Sequence, residues 1–239
     1  MAKVIERYES DAETLAQENY DEGTVVDGDA TTPRRGWWKN ASTASEIFES
    51  CRFAIEQVGA NDGDDFVQIA PDAPLSPPGV CTATKTTGIA LEIGYYEWAI
   101  TFVTANGETI AGTRANETTT SGNQKVNLTN IPVGPAGTTA RKIYRTVVGG
   151  AGDLKLVGTI SNNTETSLLD DVPDASLGAV VPSLNTSGSP GTWQTADINI
   201  GDVAVGVFKA CWMRFNVPGG TSQVGNPRRA DVTFVETGA

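Results

Sequence analysis

The sequence predicts an all-β protein, and three observations carry the prediction. Tyr96, Trp98, Ile100 and Phe102 share one parity while Glu97, Ala99 and Thr101 share the other, the period-two pattern of a strand with one buried face. Asn106-Gly107 follows, a dipeptide that tolerates the positive φ angles of a tight hairpin, and the return is expected from Ile110. The chain also holds 26 Gly and 12 Pro amid much Thr, Asn and Val, and helix-forming residues never gather at helical spacing over a long window. Helix is expected to be a minor component.

Composition narrows the function. A formal charge of −12 and a pI near 4.4 exclude nucleic acid and anionic membrane surfaces as expected partners, because both select Lys and Arg to neutralise phosphates. No run approaches the roughly 20 apolar residues of a membrane helix. Met1 to Arg7 lacks the apolar core of a signal peptide, so the chain is expected to be made in and used from the cytoplasm. With no histidine, Ser-His-Asp and Cys-His catalysis and His-containing zinc sites fall away. No enzyme activity and no cofactor are expected. Cys51, Cys81 and Cys211 lie apart among apolar strand residues and read as buried, reduced thiols.

Residues 1–35 carry nine acidic side chains, from Glu6 to Asp29, and no sustained apolar period. They read as an extended N-terminal arm, with at most a turn or two of helix over Ala12 to Glu18. Ordering such an arm costs about 1 to 2 kcal/mol per residue in backbone entropy, so its role is expected in contact with neighbouring subunits. Residues 36–76 give strand-like pieces at Trp37-Trp38, Ile47-Phe48, Cys51 to Ile55 and Phe66 to Ile69, too few to close a sandwich. Pro71 to Gly79 then reads as a linker, since proline removes a donor and fixes φ.

Residues 77–188 contain a complete set of about seven short strands, at Val80 to Thr84, the hairpin, Lys125 to Leu128, Arg141 to Thr146, Leu154 to Ile160 and Ser167 to Leu169. That spacing matches an immunoglobulin-like or fibronectin III-like sandwich. After a loop-like stretch over 172–192, residues 189–239 supply further strands at Ile198 to Ile200, Val203 to Phe208, Ala210 to Phe215 and Asp231 to Val235. Two incomplete halves flanking a complete module read as one β-sandwich base interrupted by an inserted sandwich, an arrangement tolerated at exposed loops.

The run Tyr96-x-Trp98-x-Ile100-Thr101-Phe102-Val103-x-x-Asn106-Gly107-Glu108-Thr109 is followed by Ile131-Pro132 and Lys142-Ile143-Tyr144-Arg145-Thr146. A glycine-rich turn, Leu156-Val157-Gly158-Thr159-Ile160 and Asp170-Asp171 complete the pattern. It resembles the fibronectin III-like, Ig-like modules carried by virion structural proteins of tailed bacteriophages. The resemblance implies a virion component, as a head decoration or a neck or tail surface protein, whose partners are other virion proteins and copies of itself. A carbohydrate- or receptor-binding module of a fibre, facing a host-surface glycan, is the alternative.

Candidate interaction residues are the basic pairs Arg34-Arg35 and Arg228-Arg229, able to pair with a neighbour's acidic arm, and Trp37-Trp38. The latter read first as core, as aromatics at strand spacing do, with an aromatic sugar platform shared with Trp193 and Trp212 as the alternative. The loop Asn61-Asp62-Gly63-Asp64-Asp65 packs four oxygen donors that calcium could use, but it lacks the spacing of an EF-hand and reads as an ordinary polar hairpin loop, and Asp170-Asp171 has the same status.

Overall fold

The computed structural model describes residues 5–8, 30, 32–42, 47–57, 67–216 and 230–236. The protein is all-β: among the described residues the regular helical element is a 3-10 turn at Asp174–Ser176. Contacts divide the chain into a flanking unit, Met1–Ala73 with Pro190–Ala239, and a central unit, Pro74–Ser189.

The flanking unit contains β1 (Ile5–Tyr8), β2 (Arg34–Asn40), β3 (Phe48–Gln57) and β4 (Val67–Ala73) before the central unit. After it come β15 (Ile198–Val203), β16 (Phe208–Phe215) and β17 (Ala230–Glu236), with the two-residue β14 (Ser189–Pro190) at the boundary. One sheet runs β1-β2-β16-β4-β14 and a second runs β15-β3-β17. Trp38, Val67, Ile69 and Cys211 from the first meet Phe53 and Ile198 from the second in one apolar cluster. Alternation explains the choice: Trp38 and Cys211 take the inward parity of their strands, while Arg35, Trp37 and Trp212 take the other. Gly36 makes room for this core, since a Cβ there would lie 2.8 Å from the Trp38 ring.

The central unit contains β5 (Thr82–Thr86), β6 (Gly88–Ile89), β7 (Tyr95–Thr104), β8 (Gly107–Glu108), β9 (Ala115–Thr118), β10 (Asn123–Thr129), β11 (Thr138–Arg145), β12 (Lys155–Ile160) and β13 (Leu168–Asp170). One sheet is β13-β10-β5, with β6 parallel to β10. The other is β12-β11-β7-β8, with β9 also on β7. Trp98, Ile100 and Ile143 from the second sheet pack with Val126 and Leu128 from the first.

Several sequence expectations change. Ile5–Tyr8 is paired with Trp37–Asn40 and Arg34 opens β2, so both ends of the expected arm enter the sheet. Pro71 does not break β4, which continues to Ala73. The carbonyl of Pro71 faces Gly191, so its missing donor falls on the side of short β14 rather than on the ladder to β16. The expected half-buried strand is buried on both faces, because Ala99 packs with Tyr144, Leu154 and Val181 on the side away from Trp98. The return from the hairpin starts at Gly107, and β9 rejoins β7 from Trp98 back to Tyr95. The 172–192 stretch is no free linker: Gly178 and Val181 donate backbone bonds to Leu156 and Leu154, and Leu156 donates to Ala179. The Ala12 to Glu18 turn lies outside the described residues.

Candidate functional site

In the flanking unit, the outward parity of β2 and β16 brings cations and aromatic rings together. Arg35 pairs in register with Trp212, Trp37 with Ala210 and Lys39 with Phe208. The Arg35 guanidinium lies 4.9 Å from the Trp37 ring centroid and 5.1 Å from that of Trp212. Asp72 on β4 completes the group: its Oδ1 accepts from Trp212 Nε1 at 2.6 Å and lies 3.5 Å from Arg35 Nη1. Burial pulls the Arg35 guanidinium below its ordinary pKa, and Asp72 opposes that shift. Farther along, Lys39 sits over Phe208 and Arg214 over Trp193, with Arg214 also donating twice to Gln68 Oε1.

This placement alters the reading of the basic pair and of the platform. Arg35 is a strand residue only 4% exposed, engaged inside its own unit, whereas Arg34 is exposed. Trp37 and Trp38 are both buried and belong to opposite faces, Trp37 edge-on to Phe208 and Trp38 tilted against Phe53 with ring centroids 4.7 Å apart. They cannot form one ring surface with Trp193 and Trp212, and the rings of Trp37, Trp193 and Trp212 each meet a guanidinium. Arg228, Arg229 and Asn61 to Asp65 lie outside the described residues.

In the central unit Asp170 is wholly buried. Its Oδ2 lies 2.9 Å from Arg145 Nε and accepts from Trp98 Nε1 at 2.7 Å, and its Oδ1 accepts from the Val172 amide. Arg145 also donates to Asp174 Oδ1 at 2.6 Å and to the Val172 carbonyl, with its guanidinium over the Tyr96 ring. Asp170, weighed in the sequence only as a minor calcium alternative to an ordinary polar loop, faces a guanidinium, and Asp171 pairs separately with Lys125. Among the described residues no three metal-binding side chains converge. Sequence reasoning passed over Arg141 and Arg145, although both share the inward parity of Ile143. A cation on a buried parity requires a partner, and that was the available signal.

On the outer face of the same sheet, Glu108 accepts from Thr101 and Tyr144 hydroxyls through Oε1 and from Lys142 through Oε2 at 2.6 Å. Burial, then Glu108, raises the Tyr144 hydroxyl pKa. The cluster fixes β7, β8 and β11 together through three donors on one carboxylate.

The remaining feature is the neck of the central unit. The incoming and outgoing segments meet at one end: Leu75 donates its amide to Ser187 Oγ and accepts from Asn185 Nδ2 at 2.8 Å. Asn185 Oδ1 in turn accepts from the Ser187 amide and hydroxyl, and Thr104 donates to the Ser187 carbonyl. At the opposite end lie the starts of β7 and β10 and the glycine turn after β11. There Ile89 is 83% exposed and Ile93 58%. No protein-family model, curated protein or solved structure matches the chain.

Proposed function

We propose that the protein is a structural component of a tailed-phage particle, a head-decoration or neck or tail surface protein whose flanking unit attaches to neighbouring subunits. The finer fold reading goes with it: a β-sandwich base interrupted by an inserted immunoglobulin-like, fibronectin III-like sandwich. One observation carries the proposal. The central unit receives and returns the chain at a single end, where Leu75, Asn185 and Ser187 clasp it shut, and its other end holds exposed aliphatic loops. A module built this way is attached through one pole and free to present the other. The resemblance of its strand sequence to virion modules supports the same reading, and the acidic charge suits solubility and docking to a basic surface.

Particles purified by density gradient from a lysate expressing the chain test the proposal. Mass spectrometry is expected to find the protein at levels comparable with other structural proteins. Recovery solely in the soluble fraction, together with saturable binding to a glycan array, would replace this reading by the carbohydrate-binding one. The organisation is tested separately by expressing residues 74–189 alone, which are expected to melt cooperatively. Trp98→Ala should cost that fragment about 3 to 5 kcal/mol, because the ring is fully enclosed.

A further inference from the structure

The strand β1 is four residues long and sits at the edge of its sheet, held by a single ladder from Ile5↔Asn40 to Tyr8↔Trp37. Residues 9–33, twenty-five in all, separate it from β2, whereas an antiparallel hairpin needs about two to five. Ala30 is bridged to Asn216, so the span from β1 to that anchor is residues 9–29, twenty-one in all, which reach roughly 70 Å when extended and roughly 23 to 27 Å by random-coil statistics. A domain of about 100 residues has a radius of gyration of roughly 13 Å. The connection is thus long enough to carry β1 to the next copy.

The ladder on β2 consists of backbone N–H and C=O groups, which pair equally with the strand of the same chain or of another. Its own strand has only the advantage of tethering, an effective concentration in the millimolar range that falls with connection length. Copies packed side by side offer each other strands at a similar local concentration.

We propose that β1 is exchanged between copies, so that Ile5–Tyr8 of one chain completes the five-stranded sheet of the next in the register seen here. The proposal rests on the assembly reading above and names its partner, a second copy of this chain. It also gives the long connection a purpose that a closed hairpin does not.

Glu6 and Lys39 are register partners, so Glu6→Cys and Lys39→Cys variants of the full chain report the exchange. The double variant, oxidised when dilute, should close within one chain; failure to close would overturn the ladder and the proposal together. Mixed single variants, oxidised at high concentration, should give a covalent heterodimer severalfold above either variant alone. Its absence overturns exchange. Sedimentation of unmodified protein and recovery in particles then separate the two ideas: association without heterodimer leaves the assembly reading standing, while heterodimer without particle recovery removes that reading and keeps the exchange.

Discussion

The indole N–H of Trp98 donates to Oδ2 of Asp170 across 2.7 Å, with both side chains fully enclosed. The same oxygen lies 2.9 Å from Arg145 Nε, so one carboxylate binds an aromatic ring and a cation from two strands of one sheet and holds β13, which belongs to the other. Asp170→Ala takes away one of the two carboxylates that face the buried guanidinium, leaving Asp174 and the Val172 carbonyl, and is expected to cost about 3 to 5 kcal/mol, the range for breaking a buried pair. Asp170→Asn keeps an acceptor for Trp98 and should cost less. Urea unfolding of residues 74–189 measures both, and a loss under about 1 kcal/mol for the alanine variant would refute the pairing.

Gly107 is held at φ 149, and a Cβ there would stand 2.4 Å from the backbone oxygen of Thr186. Two independent demands thus fall on one residue: the left-handed conformation, and the close approach of the outgoing segment. Gly107→Val should lower the melting temperature of the 74–189 fragment, by more than Gly122→Val, whose Cβ would meet nothing within 4 Å. Equal losses would mean that backbone strain alone matters at Gly107.

Burial pushes the Cys81 thiol up to about 11 and the Cys211 thiol up to about 12. The unfolded chain ionises near the ordinary thiol value of about 8.5, so between there and the folded values the unfolded state alone loses protons. Stability contributed by these two groups is complete below about 8.5 and declines as pH rises toward 11 to 12. At pH 8 a disulfide reagent should label neither thiol rapidly in native protein and both after denaturation. Immediate labelling at either position would show the site to be open.

Arg114 Nη1 lies 2.5 Å from Glu97 Oε2, and Tyr95 donates to the other oxygen; in that order, these hold the Glu97 carboxyl below its usual range. A depressed carboxylate stabilises above its unfolded pKa, about 4.3, and that contribution is lost as pH falls through the folded value. Arg114→Gln should therefore be slightly less stable than the parent at pH 7 and indistinguishable near pH 2. A difference that persists unchanged into acid would place the effect outside this pair.

Sequence reasoning reached the all-β class because it rests on local alternation: Tyr96, Trp98 and Ile100 declare β7 without reference to any other part of the chain. It missed what distant residues decide. Ala99 looked solvent-facing because its cover, Leu154 and Val181, lies more than fifty residues away. Ala115–Thr118 carries little apolar signal because only Ala115 is buried in that strand. Pro71 looked like a break because no local rule states which side of a strand its missing donor faces. Arg35 looked like a surface cation for the same reason, since Asp72 and Trp212 approach it only through β4 and β16.

The neck at Leu75, Asn185 and Ser187 also sets how the chain carries tension. Pulled by its two ends, the 74–189 segment is loaded first across those few side-chain bonds, which lie directly between the points of traction. The ladders joining β7 to β11 and β9 lie deeper in the unit, behind those bonds. For that segment the clasp works as a mechanical fuse: traction on its two ends meets the bonds of Leu75, Asn185 and Ser187 before it meets a strand of the sandwich.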